Sequence, residues 1–161
     1  MLPSVEAHAD RIVELRSAGD FSLEVRAIVR HFLLDEFKDR ADLQREYGRS
    51  FSVAAHSYVA IVDLSDRGAL AYVIVPTPDY CGTAGCDYWM IQPVPDAPSR
   101  VLMDGQLPAD LKIRIMDRKD LGYHRICDGD VIRWTGAKYE EIERKAVDRY
   151  GNHLGIKCNV H

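Results

Sequence analysis

The residues in this chain best suited to chemistry are four cysteines, Cys81, Cys86, Cys127 and Cys158. The first two frame Gly82-Thr83-Ala84-Gly85. Glycine supplies the positive-φ conformations that a tight loop demands, so this spacing favours a disulfide that closes a short hairpin loop. On the chain-entropy account such a ring is worth about 2 kcal/mol. Two other chemistries compete with it. A zinc knuckle spaces its cysteines by two to four residues and needs a second ligand pair, and a redox site prefers Cys-x-x-Cys at a helix start. An even count leaves Cys127 and Cys158 as natural partners, and their longer loop would contribute about 4 kcal/mol. The competing arrangements at this pair use histidine, because His124 stands three before Cys127 and His161 three after Cys158. They are a zinc site, or a thiol catalyst with Cys127 or Cys158 as nucleophile. Residues three apart in a strand face opposite ways, so His124 and Cys127 converge only at a bulge.

Other candidates carry weaker signals. Asp63, Asp66, Asp79 and Asp87 bracket two turns and read first as turn formers on a solvated surface. Gly48-Arg49-Ser50-Phe51-Ser52 lacks the closing glycine of a nucleophile elbow and lies between a helix and a strand, the reverse order. Gly82 to Gly85 has no phosphate-loop lysine, and Asp128-Gly129-Asp130 is too short for an EF-hand. His31 and His56 have no motif partner. Tyr80, Tyr88, Trp89, Tyr123, Trp134 and Tyr139 are the aromatic set from which a binding face would be drawn. No cofactor and no metal is expected.

The elements that must position these residues fall into two regimes. Helices come first. Ser4 caps a predicted helix over residues 5–17 that uses Ile12, Val13 and Leu15, and Gly19 follows its end. Ser22 caps a second helix, in which Val25, Ile28, Val29, Phe32, Leu33 and Phe37 recur at three- and four-residue spacing. Residues 42–47 suit a further turn or two of helix. From about residue 52 the period becomes two. Strands are expected at 58–62, 70–75, 88–92, 99–103, 111–115, 123–126 and 131–134, with 63–68 as a hairpin loop. Asp104-Gly105, Asp128-Gly129 and Thr135-Gly136 read as turn punctuation. Residues 140–150 suit a helix by composition, whereas Tyr139 and Ile142 suit the end of a strand. The predicted class is α+β, with N-terminal helices packed on an antiparallel β-meander. A single domain is expected over 1–161: a helical part at 4–47, the sheet at 52–139 and a tail at 140–161.

Composition narrows the function classes. The chain has 161 residues, 47% of them hydrophobic and 29% charged, which is ordinary for a globular domain with a substantial core. The net charge of -4 leaves no basic footprint for nucleic acid, and no apolar run is long enough to span a bilayer. Met1-Leu2-Pro3 runs straight into a polar segment with no secretory leader in view. The expectation is a periplasmic or secreted protein whose leader has been removed; the alternative is a cytoplasmic protein.

The pattern from residue 57 to residue 139, about half the chain, resembles small bacterial envelope proteins with a "CGxGGC" hairpin loop, most of them of unknown function. It comprises a strand ending in Asp63-Leu64, an apolar strand, the Cys81-Gly82-x-x-Gly85-Cys86 loop and another apolar strand. Asp120-Leu121-Gly122-Tyr123 and Gly136-Ala137-Lys138-Tyr139 follow. Ala84 stands where the pattern has a second glycine, and Arg67 stands where a cation-binding turn would place an acidic or amide ligand. The resemblance implies an oxidising compartment and a disulfide, not an activity. The expected function is a non-catalytic envelope module that binds another protein, in its concrete form an inhibitor or immunity protein against a cell-wall hydrolase. Its expected binding surface is the Cys81–Cys86 loop with Asp79, Tyr80, Asp87 and Tyr88. The alternatives are the cysteine-dependent enzyme and a cytoplasmic adaptor with reduced cysteines. Counting thiols on the denatured protein separates the first two.

Overall fold

A computed structural model describes residues 10–38, 56–77, 81–82, 85–147, 149–151 and 153–161. In chain order its elements are β1 (Arg11–Glu14), β2 (Arg16–Ser17), α1 (Leu23–Phe37), β3 (Tyr58–Asp63), β4 (Leu70–Val75), β5 (Cys86–Val94) and β6 (Ala97–Leu107). There follow β7 (Lys112–Asp120), β8 (Tyr123–Cys127), β9 (Val131–Trp134), β10 (Tyr139–Glu141), β11 (Glu143–Val147) and β12 (His153–Gly155). The chain divides into two compact units, one of Glu14–Leu111 and one of Met1–Val13 with Lys112–His161. Antiparallel sheet dominates, and α1 is the single α-helix among the described residues.

The Glu14–Leu111 unit is a five-stranded sheet in the order β2-β3-β4-β5-β6, with every neighbouring pair antiparallel. Helix α1 forms as its sequence predicts. The Ser22 hydroxyl accepts the Val25 N–H at 3.3 Å, satisfying one of the donors that a helix start leaves open. Val29, Phe32, Leu33 and Phe37 are buried along one stripe. They form a core with Val59, Ile74 and Ile91 from the sheet, and Tyr72 and Trp89 pack at its margin. Two-residue alternation puts these sheet residues on one face, since Val59 pairs with Ile74, Tyr72 with Ile91 and Ile74 with Trp89. Strand β6 forms an edge. Its pairing with β5 slips at two places, and it carries Pro98 and Arg100, devices that blunt an edge against unwanted strand pairing.

Residues 11–17 depart from the helix expected there. Leu15 is buried, but Ile12 is 48% exposed, the reverse of what an inward helical face requires. Leu15 donates its N–H to the Leu111 carbonyl, and Arg16 and Ser17 pair with Val59 and Tyr58. β-branched Ile12 and Val13 suit extended backbone, and this long-range pairing overrides a local pattern that fits either period. The expected first helix is therefore strand over its described part; residues 5–9 and 42–47 lie outside the described residues. The stretch around Asp104-Gly105 is also strand rather than turn, because β6 runs through it opposite β5, with Gly105 facing Tyr88 in register.

The second unit has the sheet order β1-β7-β8-β9-β10 and a separate two-stranded ribbon of β11 and β12. The ambiguous tail is thus strand. Ile113, Ile115, Ile126, Ile132 and Tyr139 are fully buried in this unit. Asp10 ties in the start of β1: its carboxylate accepts the Asp117 N–H at 2.9 Å and lies 3.6 Å from Arg114. No helix among the described residues is long and apolar enough to cross a membrane.

Candidate functional site

The Cys81–Cys86 loop is built as a closed ring. The two cysteines are joined by a disulfide, with Cα atoms 4.1 Å apart. Inside it, Gly82 and Gly85 exchange both backbone hydrogen bonds, at 2.9 and 3.1 Å. That reciprocal pair is an antiparallel bridge between Gly82 and Gly85. Gly85 sits at φ +117°, a region side chains rarely tolerate, and its Cα faces the Leu107 carbonyl so closely that an added Cβ would overlap it. The ring is therefore clamped to the end of β6 as well as to β5. Within the ring Cys86 is buried and Gly82 exposed.

The flanking residues divide. Asp79 and Tyr80 lie outside the described residues. Asp87 is exposed and accepts a hydrogen bond from the Gln106 amide at 3.3 Å. Tyr88, expected on the binding surface, is only 1% exposed. The reason is strand alternation: Cys86, Tyr88 and Met90 point to one buried face, and Asp87 and Trp89 point to the other. Beside Asp87 and Trp89 lies a hollow of about 290 Å³ lined by Asp87, Tyr88, Trp89, Asp104, Gly105 and Gln106. Register explains the set, because Asp87 opposes Gln106 and Trp89 opposes Asp104. Trp89 is held from behind by edge-to-face contacts with Phe32 and Phe37 of α1, at centroid distances of 6.3 and 6.2 Å. One braced indole and two carboxylates thus share one side of the β5–β6 hairpin, next along the chain to the ring, whose Cys86 turns to the other side. The sequence places Trp89 only within the general aromatic set, suggests a turn at Asp104 and gives no signal for Gln106. The signal that hid them was Asp104-Gly105, which reads as a turn.

The other cysteines form a second staple. Cys127 and Cys158 are bonded with Cα atoms 6.0 Å apart, and no cysteine is free. Around this bond the tail is laid against the β8–β9 turn. Cys158 donates its N–H to the Gly129 carbonyl, Val131 donates to Ile156, and the Lys157 ammonium lies 2.8 Å from Asp130. The hydrogen bond that Lys157 donates to Asp130 pushes the Lys157 pKa up. His124 is buried and turns its Nδ1 to the Met116 carbonyl at 2.6 Å, so Nδ1 carries the proton there. With both sulfurs bonded, Cys127 and Cys158 supply no thiolate. Among the described residues no three His, Cys, Asp or Glu side chains gather as a metal would require. A larger open groove of about 630 Å³ runs between α1 and the tip of the β5–β6 hairpin, past Ile28, His31, Pro93 and Pro95. It carries no chemical constellation. Comparison with protein-family models, with curated proteins and with solved structures finds no match for this chain, so the stapled hairpin and its acidic face must speak for themselves.

Proposed function

We propose that this protein is a non-catalytic protein-binding module of the cell envelope. Its contact surface is the Cys81–Cys86 ring together with Asp87, Trp89, Asp104 and Gln106. Its partner is a cationic protein, in the concrete form a cell-wall hydrolase that it inhibits. The observation that supports this most is the clamped ring: a loop already closed by a disulfide and held by two strands loses little entropy on binding, so its contacts convert more fully into affinity. A half-buried tryptophan between two carboxylates adds an aromatic anchor and a charge that steers basic partners. The two disulfides fit an oxidising compartment, in keeping with a periplasmic or secreted location. The cysteine-enzyme reading would require one of these bonds to be reduced first. The test is a peptidoglycan-lysis assay with a cationic lysozyme as probe. Wild-type protein should slow lysis in proportion to its concentration, and the Asp87→Lys/Asp104→Lys variant should not. Lysis at full rate with excess wild-type protein would refute the inhibitor reading.

A further inference from the structure

A hairpin tip in the second unit is built at a cost that the fold does not explain. Leu121 and Gly122 join β7 to β8, and both have positive φ, 50° and 86°. Such two-residue turns favour asparagine, aspartate or glycine at the first position, and a leucine there is strained. Elsewhere in the chain Asp66 and Asp96 take this conformation, as expected for turns. Leu111 also takes it, but Leu111 is 8% exposed and sits in the core. Leu121 is 75% exposed. One residue therefore combines an unfavourable backbone with an unburied aliphatic side chain.

The surroundings make this tip rigid and basic. The Tyr123 and Trp134 rings lie 4.7 Å apart, the Trp134 and Tyr139 rings 5.4 Å apart, and the Tyr139 hydroxyl donates to the His124 carbonyl at 2.9 Å. The β9–β10 turn lies alongside, since a Cβ on Gly136 would sit 3.5 Å from Leu121 Cδ1. Residues 118–125 and 133–140 together hold Arg118, Lys119, Arg125, Arg133 and Lys138 against Asp120 and Glu140, in a chain whose net charge is -4; Lys138 lies 3.5 Å from Glu140, which opposes Arg133 in register, so the excess charge rests on Arg118, Lys119 and Arg133. Asp120 is gripped by Arg125 through two hydrogen bonds of 2.7 and 3.1 Å, and Arg118 and Arg133 also act on its charge. One carboxylate at the base of an exposed leucine is thus gripped by Arg125, with Arg118 and Arg133 on the neighbouring strands.

We propose that this double tip docks on an anionic lipid bilayer, Leu121 entering the headgroup boundary while Arg118, Arg133 and their cationic neighbours meet lipid phosphates. A protein partner fits less well, because a stable protein interface buries about 800 Å² on each side, and a convex tip with one aliphatic side chain offers far less. A membrane surface accepts a shallow apolar insertion and gathers negative charge under every cation. The test is co-sedimentation with vesicles made of equal parts phosphatidylglycerol and phosphatidylcholine, at low salt, against vesicles of phosphatidylcholine alone. The wild-type protein should partition onto the anionic vesicles and be released by salt. Leu121→Gly relieves the backbone, so it should keep or raise the melting temperature while weakening partitioning about tenfold. Arg118→Gln/Arg133→Gln should erase the preference for anionic vesicles and leave the Arg125–Asp120 pair in place. Three results would each overturn the proposal: no wild-type partitioning, as expected if the tip serves an acidic protein; equal partitioning onto both vesicle types; or Leu121→Gly partitioning as well as wild type.

Discussion

Gly85 is the residue on which the stapled loop turns. Its φ of +117° and its approach to the Leu107 carbonyl leave no room for a side chain. Gly85→Ala should cost about 1–3 kcal/mol in chemical denaturation, whereas Gly82→Ala, with open space around it, should cost little. Two carboxylates make a second prediction. Burial works to raise the Asp63 pKa, but the N–H groups of Gly68 and Ser65 outweigh it and hold it below its ordinary 3.8. The Arg125 hydrogen bonds hold Asp120 below 3.8 as well, against burial. A folded-state pKa below the unfolded one means that the stability these groups confer is present above pH 3.8 and is lost as pH falls through the lowered values. Acid titration of the melting temperature should therefore show a fall below that pH, smaller in Asp63→Asn and in Asp120→Asn than in wild type. These details were only partly legible in the sequence. The glycine frame of the cysteine loop announced a tight turn. Nothing in the chain announced that β6 would press a carbonyl against it, because that contact joins residues more than twenty positions apart.

Among elements, α1 was the most legible, since its cap and its apolar stripe are both local. Ser22→Ala should lower stability by about 1 kcal/mol without changing the fold. Residues 11–17 were the least legible: their pattern suits a helix or a strand, and pairing of 11–14 with β7 and of 16–17 with β3 decides the matter from more than forty residues away. The disulfides act at this scale too, each tying two elements. The Cys127–Cys158 bond closes a separation of 31 residues and the Cys81–Cys86 bond one of 5. Paired serine substitution should therefore cost about 4 kcal/mol at the first and about 2 at the second, read from denaturant midpoints. The proposed contact face was half legible for the same reason of scale. Strand alternation predicts that Asp87 and Tyr88 point opposite ways, and register alone brings Asp104 and Gln106 beside Asp87.

At the scale of the whole molecule, each unit has its own sheet and its own staple, and net charge conceals how charge is distributed. An overall -4 covers an acidic face on β5 and β6 and a basic pair of hairpin tips on β7 to β10. No run of like charge marks either one, because each is assembled from separate strands. The α+β class and most strands could be read from period and punctuation; the division into two sheets could not, since period two says nothing about which strands pair. The proposed function rests on the acidic face beside the Cys81–Cys86 ring. The direct measurement is a calorimetric titration of wild type and of Asp87→Lys/Asp104→Lys against a cationic lysozyme, with melting temperatures checked first. Melting should be unchanged and binding weakened tenfold or more by the charge reversal, roughly 1.4 kcal/mol. Equal affinity in the two proteins, or no binding by wild type, would contradict it.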